Sequence, residues 1–499
     1  MDELRETHIS RVLLRGDRAY KLKKPLRLPF LDYGSLERRH ELCREEVRLN
    51  RRLAPDVYRG VRALVPGPRG LVLRDEASAG AVEYVVEMRR YDESATLARR
   101  LDAGAAGETE VRAVGRRLAA FHTGAELPAD PERAVSALEA MVAENFATLR
   151  SLGGDGEMLG AEQHAGAVLA GRRAELRRRA AGGLVRDGHG DLRAEHVVLE
   201  RGIEIVDCVE FDPALREIDV GLDLAFLMMD LLRRDERLAA ALVSAYREAG
   251  GDPGDDALVV FFAAQRALIR AKVALLRAGQ VEGGDAARRR ADAASLLDLG
   301  RRLGWRVRLG SAVVVCGLAA SGKSTLAGAL AERAGATLLS SDVVRKELLG
   351  LAATERAPAS AYAPAMNQRT YGTLGRRARE RTDGGGHVVV DATFRFGADR
   401  QAFIETLGAV PLWIECRAPA AVRARRAAAR RERRDSVSDA GAAVAIAQES
   451  EWQPLEVPPE RHLEIETDRD AAAALVAVRD ALDCRLRRPA VNYAPTRRG

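Results

Sequence analysis

The apolar positions of this chain change period several times along its length, and those changes divide it. Ile9–Leu14 and Ala19–Lys23 alternate apolar with polar residues, which predicts two short strands with Arg15-Gly16-Asp17-Arg18 as the turn between them. Alternation puts Lys21 and Lys23 on one face of the second strand. From Ser35 to Asn50 the period becomes helical: Ser35 can cap the start, and Leu36, Cys43, Val47 and Leu49 supply an apolar stripe. Strands are predicted next at Val61–Val65, Leu71–Leu73 and Ala81–Arg90, and helices at Glu108–His122 and Pro131–Arg150. His122, at a helix end, is expected to satisfy a backbone carbonyl. A polar loop, His189-Gly190-Asp191-Leu192-Arg193-Ala194-Glu195-His196, then leads into two short apolar strands, the second ending at Asp207. Residues 255–303 read as helices, and 304–310 as a linker.

Beyond residue 310 the pattern changes again. Ala312–Cys316, Ala336–Leu339, His387–Val390 and Pro411–Cys416 are nearly continuous apolar runs separated by helical segments. Strands buried on both faces and alternating with helices predict a three-layer α/β domain with a mainly parallel sheet. The expected organisation is a first domain at 1–303, a linker at 304–310, a second domain at 311–484 and a disordered tail at 485–499.

Composition adjusts this picture only slightly. The length of 499 residues suits roughly two to four domains. Aromatic residues make up only 4% of the chain, so the cores must rest on Leu, Val and Ala. The net charge of +6 comes from arginines interspersed with acids, which points only weakly to nucleic acid. The five cysteines form no CxxC pair and read as reduced core thiols. The charged N-terminus has no apolar h-region, and no apolar run is long enough to cross a bilayer. The expectation is a soluble cytoplasmic protein with no membrane partner.

The strongest chemical signal is Gly317-Leu318-Ala319-Ala320-Ser321-Gly322-Lys323-Ser324, between an apolar strand and the helix opening at Thr325. Strand, GxxxxGKS, then helix is the context of a phosphate-binding loop. Gly317 and Gly322 let backbone N–H groups curl round a phosphate, and the helix N-terminus adds partial positive charge. Ala320, Ser321 and Thr325 complete the predicted ATP cradle. Lys323 can reach the β- and γ-phosphates, and the Ser324 hydroxyl can ligate Mg²⁺. Asp342 and Asp391 each lie at or just beyond a strand end, at the carboxyl edge where ligands bind. Arg423, Arg426 and Arg430 share one helix face. They read either as a solvated surface or as a lid folding Arg426 and Arg430 over the transferring phosphate.

In the first half, Asp191, Asp207 and an early strand lysine make a phosphoryl-transfer set: a base, a metal ligand and a phosphate clamp. Lys21, Glu46, the HGD at 189–191, Asp207 and Asp223-Leu224-Ala225 resemble the aminoglycoside phosphotransferase family, small-molecule relatives of the protein kinases. That resemblance, over roughly residues 1–290, implies a bilobal protein-kinase-like fold, with Asp191 as catalytic aspartate and Asp207 as metal ligand. It also implies Asp223 as a structural aspartate, Lys21 paired with Glu46 over the phosphates, and 87–91 as an adenine hinge. Lys23 remains an alternative to Lys21. His196 stands where the family has a metal-binding asparagine, and imidazole is a poor Mg²⁺ ligand. No GxGxxG precedes Lys21, so residues 6–10 would have to cover the phosphates.

GLAASGKST, SSD at 340–342, VDATF at 390–394 and the arginine run are similar to P-loop kinases of hydroxyl groups: gluconate kinases, polynucleotide 5′-hydroxyl kinases and zeta toxins. By that resemblance Asp342 would take the acceptor hydroxyl's proton and Asp391 would occupy a Walker-B-like position near Mg²⁺. A fusion of an aminoglycoside-phosphotransferase-like unit to an AAA-type ATP-binding P-loop kinase implies a bifunctional kinase. It would use ATP and Mg²⁺ on an unidentified hydroxyl-bearing small molecule. Two other readings stay open: a first half that only regulates the second, and a polynucleotide end kinase.

Overall fold

The structure, a computed structural model, describes residues 3–6, 9–28, 31–68, 70–153, 156–352, 354–431 and 449–487. By compactness the chain divides into one unit of Met1–Met141 with Glu175–Asp255, and a second of Val142–Ala174 with Asp256–Gly499. Residues 142–174 and 256–303, placed by the sequence with the first half, therefore fall in the second unit.

The first unit begins with β1 (Glu3–Glu6), β2 (Ser10–Arg15), β3 (Arg18–Lys23), a short pair β4 (Arg27–Leu28) and β5 (Leu31–Asp32), and helix α1 (Leu36–Asn50). β6 (Tyr58–Gly67), β7 (Gly70–Asp75) and β8 (Glu83–Arg89) complete a six-stranded antiparallel sheet in the order β1-β2-β3-β8-β6-β7. The Ser35 hydroxyl caps α1 by accepting the Arg38 N–H at 3.1 Å, as the sequence predicts. The helix presents Cys43 and Val47 to a core that includes Tyr58, Val61 and Val86. Leu42, Glu46 and Leu49 are buried as well. Glu46 therefore sits at helical spacing on the face turned inward.

α2 (Leu97–Asp102) and α3 (Glu108–Gly124) follow, then α4 (Arg133–Ser151) and α5 (Gly156–Ala181), which both run across the division of the chain. Two antiparallel strand pairs carry the polar loops: β9 (Val185–Asp187) with β12 (Glu217–Asp219), and β10 (Val197–Val198) with β11 (Glu204–Ile205). α6 (Val220–Leu232) is buried almost all round and is followed by α7 (Glu236–Glu248). A Cβ on Gly115 of α3 would lie 2.7 Å from the Leu242 carbonyl of α7, so these helices meet at a glycine.

The second unit contains α8 (Asp256–Ala278) and α9 (Gly283–Leu309), then β13 (Ala312–Cys316), α10 (Lys323–Ala334), β14 (Thr337–Ser340) and α11 (Ser341–Leu348). After these come α12 (Pro364–Asp383), β15 (Val388–Asp391), α13 (Gly397–Leu407), β16 (Leu412–Arg417), α14 (Ala420–Arg431), β17 (His462–Glu466) and α15 (Ala471–Leu486). The expected linker at 304–310 is instead the closing turns of α9, which stops at Gly310 with φ 72°. Glycine at 304 does not break the helix, because the following turn is tied down: Arg306 Nε donates to the Ala334 carbonyl at 2.8 Å. Of the tail expected at 485–499, Arg485 and Leu486 belong to α15, and 488–499 lie outside the described residues.

Every neighbour in the second sheet is parallel, in the order β14-β15-β13-β16-β17. Val313, Val315, Leu412 and Ile414 face a core shared with α10 and α15. Val314, Cys316, Val390 and Trp413 face the opposite core, with Tyr371, Phe394 and Phe403. Single-residue alternation across a strand buried on both sides is what makes three layers. β13 is central, and the chain goes to β14 and β15 on one side and to β16 and β17 on the other. That is a topological switch point, whose carboxyl end is where open α/β sheets bind ligands.

Two glycines of α3 give a test of this packing. Gly115→Ala should destabilise the first unit by about 1–3 kcal/mol, because the new methyl meets backbone. Gly124→Ala, with nothing within 4 Å, should be neutral or stabilising by up to about 1 kcal/mol. Urea unfolding midpoints of the two variants check the opposite signs.

Candidate active sites

The phosphate loop leaves β13 at Gly317, where φ is 138° and a Cβ would lie 2.6 Å from the Cys416 carbonyl. Only glycine suits both conditions. Ala320 at φ 60° and Gly322 at φ 97° then turn the chain so that α10 starts at Lys323. The first backbone N–H groups of α10 have no partner inside the helix and point out of its N-terminus, where the helix dipole is positive. Ser324 and Thr325 are exposed at that end. Lys323 is half-buried and makes no ion pair among the described residues, and the buried Ser321 hydroxyl has no hydrogen-bond partner among them. The loop's own carbonyl is held from behind: Ser321 O accepts from Thr467 Oγ1 at 2.5 Å and from Arg426 Nη1 at 3.3 Å.

Strand register brings the predicted acids to this edge. Asp391 is the register partner of both Val315 and Ser340, so it stands between the phosphate loop and the start of α11. Asp342 lies in the first turn of α11, and its carboxylate has no hydrogen-bond partner among the described residues. One turn on, Arg345 is buried, with Nη1 donating to Ala361 O at 2.7 Å and to Asn367 Oδ1 at 2.8 Å. The arginines of α14 behave differently from one another. Arg426 reaches the phosphate loop, whereas Arg423 is buried, bonding Ala418 O at 2.9 Å and Glu449 at 2.5 Å. The side chain of Arg430 and the segment 432–448 lie outside the described residues. Asp399, in the first turn of α13, was not singled out from the sequence. Burial pushes its carboxyl up to about 6, against the pull of Arg345, Arg395 and Arg400. Nothing in its local spacing marks it, because its burial comes from the tertiary packing of α13.

In the first unit Glu46, wholly buried, holds both lysines of β3: Lys21 Nζ at 2.8 Å and Lys23 Nζ at 2.6 Å. The two lysines then diverge. Lys23 turns into the core to Glu210, whose carboxylate also accepts the Tyr33 hydroxyl at 2.5 Å. Lys21 faces Asp207, at 2.9 Å from Oδ1. Burial would lower the Lys21 ammonium's pKa, but the Asp207 and Glu46 charges outweigh it and raise it well above its ordinary value. Burial likewise raises the Asp207 carboxyl, and Lys21, with His196 and Arg193 adding to it, more than reverses that. Asp207 has φ 63°, unusual for a residue with a Cβ, and its N–H is held by the Tyr58 hydroxyl at 3.2 Å. Glu210 and Tyr33 were missed from the sequence, although Glu210 lies in the same short run as Asp207.

The HGD loop is pinned from below. The buried Asp223 carboxylate accepts the His189 N–H at 2.7 Å, the Gly190 N–H at 2.9 Å and His122 Nε2–H at 3.1 Å. His122 therefore serves a carboxylate, not the carbonyl expected of it, and its Nδ1 pairs with the Tyr246 hydroxyl at 2.8 Å. Burial raises the Asp223 carboxyl, but the His122 and loop donors hold it below its usual range. Asp191 does not stand open. Arg193 grips both its oxygens, with Nη2 to Oδ2 at 2.8 Å and Nε to Oδ1 at 3.0 Å. His196 donates Nδ1–H to the Asp191 carbonyl at 2.8 Å, which leaves its lone pair on Nε2, and Arg193 Nη2 occupies that lone pair at 2.8 Å. His196 Nε2 is 4.0 Å from Asp207 Oδ2, so the two approach without bonding. The stretch 87–91 lies at the end of β8, where Arg89 is bound to Glu200 and to Glu204 at 2.5 Å. Of the loop expected over the phosphates, 7–8 lie outside the described residues.

Residues 313–455 match the AAA domain family. Over 408 residues, 79% of this chain and 78% of the relative, the chain is 34% identical to an uncharacterized protein of Mycobacterium tuberculosis strain H37Rv, and equally so to one of Mycobacterium bovis. The chain belongs to the family of these mycobacterial proteins. Among solved structures, a gluconokinase from Sinorhizobium meliloti 1021 is 20% identical, covering 36% of this chain and 93% of its own with a TM-score of 0.26. A choline/ethanolamine kinase family protein from Mesorhizobium loti is 14% identical, covering 61% and 92% with a TM-score of 0.36. The spectinomycin phosphotransferase APH(9)-Ia is 10% identical, covering 60% and 92% with a TM-score of 0.31. Among the described residues no helix is long and apolar enough to cross a membrane.

His196 carries a pH prediction. Burial, with Arg193 adding to it, lowers its pKa from the ordinary 6.5 to about 4. As pH falls through 6.5 the unfolded chain takes up this proton while the folded chain stays neutral, so stability is lost progressively until about pH 4. The loss should total roughly 3 kcal/mol at most. His196→Asn, measured without added metal, should flatten that part of the pH dependence of the urea midpoint.

Proposed function

We propose that the chain is an ATP-dependent phosphotransferase with two candidate sites, each passing the γ-phosphate of ATP to a hydroxyl of a small molecule. One observation carries the reading. A phosphate loop at the switch point of a parallel sheet shares the sheet's carboxyl edge with an acid, Asp342, whose carboxylate has no hydrogen-bond partner among the described residues.

In the second unit, Lys323 and the first N–H groups of α10 would hold the β- and γ-phosphates. The donor set suits a hard cation: the exposed Ser324 hydroxyl and the Asp391 carboxylate supply oxygen. Mg²⁺ bound there would neutralise charge on the bridging phosphate oxygens. Asp342 accepts the acceptor's proton as its oxygen bonds to the γ-phosphorus and the bond to ADP breaks. Arg426, tied to Ser321 O, keeps the loop in shape beside the transferring group.

In the first unit Lys21, aligned by Glu46, would clamp phosphate oxygens, and Asp191 would be the base. Among the candidate metal ligands Asp207 alone offers an oxygen, because His196 spends its lone pair on Arg193. The set does not fit a Mg²⁺ site as it stands, and no metal step is derived there. The closed Arg193–Asp191 pair favours a second reading, in which this unit binds or regulates and the second unit alone transfers phosphate.

A screen of hydroxyl acceptors with ATP and Mg²⁺ tests both. Lys323→Ala should lower kcat/KM by about 100-fold or more. Asp342→Asn should retain ATP binding and lose about 100- to 10,000-fold in transfer. If both leave turnover unchanged, the second-unit site is wrong. Turnover that survives Lys323→Ala but falls with Asp191→Ala assigns activity to the first unit, and indifference to Asp191→Ala supports the regulatory reading.

A further inference from the structure

Asp399 is a buried carboxylate that the transfer set out above does not use. Sheet topology puts it beside Asp342. β14 and β15 are parallel neighbours with Ser340 opposite Asp391, so the helices that follow them, α11 and α13, start from the same carboxyl edge. Asp342 lies in the first turn of α11 and Asp399 in the first turn of α13. Tyr371 of α12 links the two: its hydroxyl accepts the Phe394 N–H at 3.4 Å, in the loop that leads into α13. Burial is the main cause that raises the Tyr371 phenol, and the charges of Asp399, Arg345 and Asp342 all act on it as well, so these groups lie around one hydroxyl. The loop before Asp399 is firmly held. Phe394, at φ 52°, packs against the rings of Tyr371, Phe403 and Trp413, and its carbonyl accepts from Arg400 Nη1 at 3.1 Å.

The charge around Asp399 is answered, but its hydrogen bonding is not. Burial pushes its carboxyl up to about 6 although the Arg345, Arg395 and Arg400 charges pull it down. Each of these guanidiniums spends donors elsewhere. Arg345 bonds Ala361 O and Asn367 Oδ1, Arg395 meets Glu451 at 2.7 Å, and Arg400 bonds the carbonyls of Phe394, Gln453 and Pro454. The Asp399 carboxylate is left with no hydrogen-bond partner among the described residues. The helix dipole favours an acid in a first turn, but an exposed one would serve it as well. A buried carboxylate without donors weakens the fold until a ligand supplies one. An ammonium donor would meet three guanidiniums, and an acidic ligand would meet two carboxylates. A hydroxyl donates without bringing charge, so it suits both conditions.

On the reading of the second unit as a hydroxyl kinase, we propose that Asp399 binds a second hydroxyl of the acceptor whose first hydroxyl meets Asp342, and that the acceptor is therefore a neutral polyol or sugar. Asp399 takes no part in the transfer itself: the reacting oxygen bonds to the γ-phosphorus, the bond to ADP breaks and the proton goes to Asp342. ADP release by the full chain with ATP and Mg²⁺ tests this, with sorbitol and glucose as neutral probes and gluconate and ethanolamine as charged ones. Sorbitol or glucose should be turned over in preference. Asp399→Ala should raise the acceptor KM about tenfold or more, with a smaller fall in kcat and an unchanged KM for ATP. Asp399→Asn, which keeps one accepting oxygen, should recover part of that loss. Neither variant should lower the thermal unfolding midpoint, because both remove an unpartnered buried charge. A midpoint that falls together with kcat would make Asp399 structural and overturn the proposal. So would an acceptor KM untouched by Asp399→Ala, or a preference for gluconate or ethanolamine. Lys323-dependent ATP binding with none of the four probes turned over overturns the polyol assignment and leaves the phosphate site standing. Turnover indifferent to Lys323→Ala removes the reading beneath the proposal, and the proposal with it.

Discussion

A carboxylate taken fully out of water must be met by charge, and Glu46 is the place where the first unit satisfies that demand. Its burial on the inner face of α1 is set by helix periodicity, and only the alternation of β3 can answer with two lysines on one face. The two partners cannot both turn the same way. Lys23 is drawn inward by Glu210 and becomes structural, which leaves Lys21 directed at Asp207. One buried acid thus sets the docking of α1 on the sheet and the direction of the one lysine that meets Asp207. Removing it would leave each lysine with one carboxylate in place of two, Asp207 for Lys21 and Glu210 for Lys23.

The second unit solves the opposite problem. Its sheet topology assembles groups that have no partners among the described residues: the first N–H groups of α10, the Lys323 ammonium and the Asp342 carboxylate. Such groups are tolerated at the mouth of a crevice because water or ligand can reach them. The loop behind them is held by contrast, with Thr467 and Arg426 locking its carbonyl and Arg345 tied to α12. Rigidity behind and open valence in front is what preorganised electrostatic stabilisation requires.

How far this was legible depends on whether the deciding contact is local. The phosphate loop, the β3 alternation and the α1 cap are each specified within about twenty residues, and the structure places each where its pattern predicts. The parallel sheet was legible from its apolar runs, yet β17 escaped because His462-Leu463-Glu464-Ile465-Glu466 reads as a weakly alternating edge. The linker at 304–310 was misread because Gly304 and Gly310 look alike in sequence, and only the tertiary hold on Arg306 distinguishes them. Asp399 and Glu210 were illegible for one common reason. Each depends on a side-chain environment built by segments that the one-dimensional pattern does not relate.

The two candidate sites therefore begin from unequal states. Before Asp191 can accept a proton it must exchange the Arg193 guanidinium for an acceptor hydroxyl, giving up charge-assisted hydrogen bonds worth about 1.5–3 kcal/mol each. Lys21 must likewise leave Asp207 to reach a phosphate, although the incoming phosphate replaces one anion with another. Asp342 and Lys323 have no such partners to surrender among the described residues. If binding energy were equal at the two sites, the first would spend part of it on partner exchange, and ligand-driven rearrangement is how regulatory elements couple occupancy to shape. A paired resting state in the first unit and an unpaired one in the second is thus the physical asymmetry on which any division of labour between them rests.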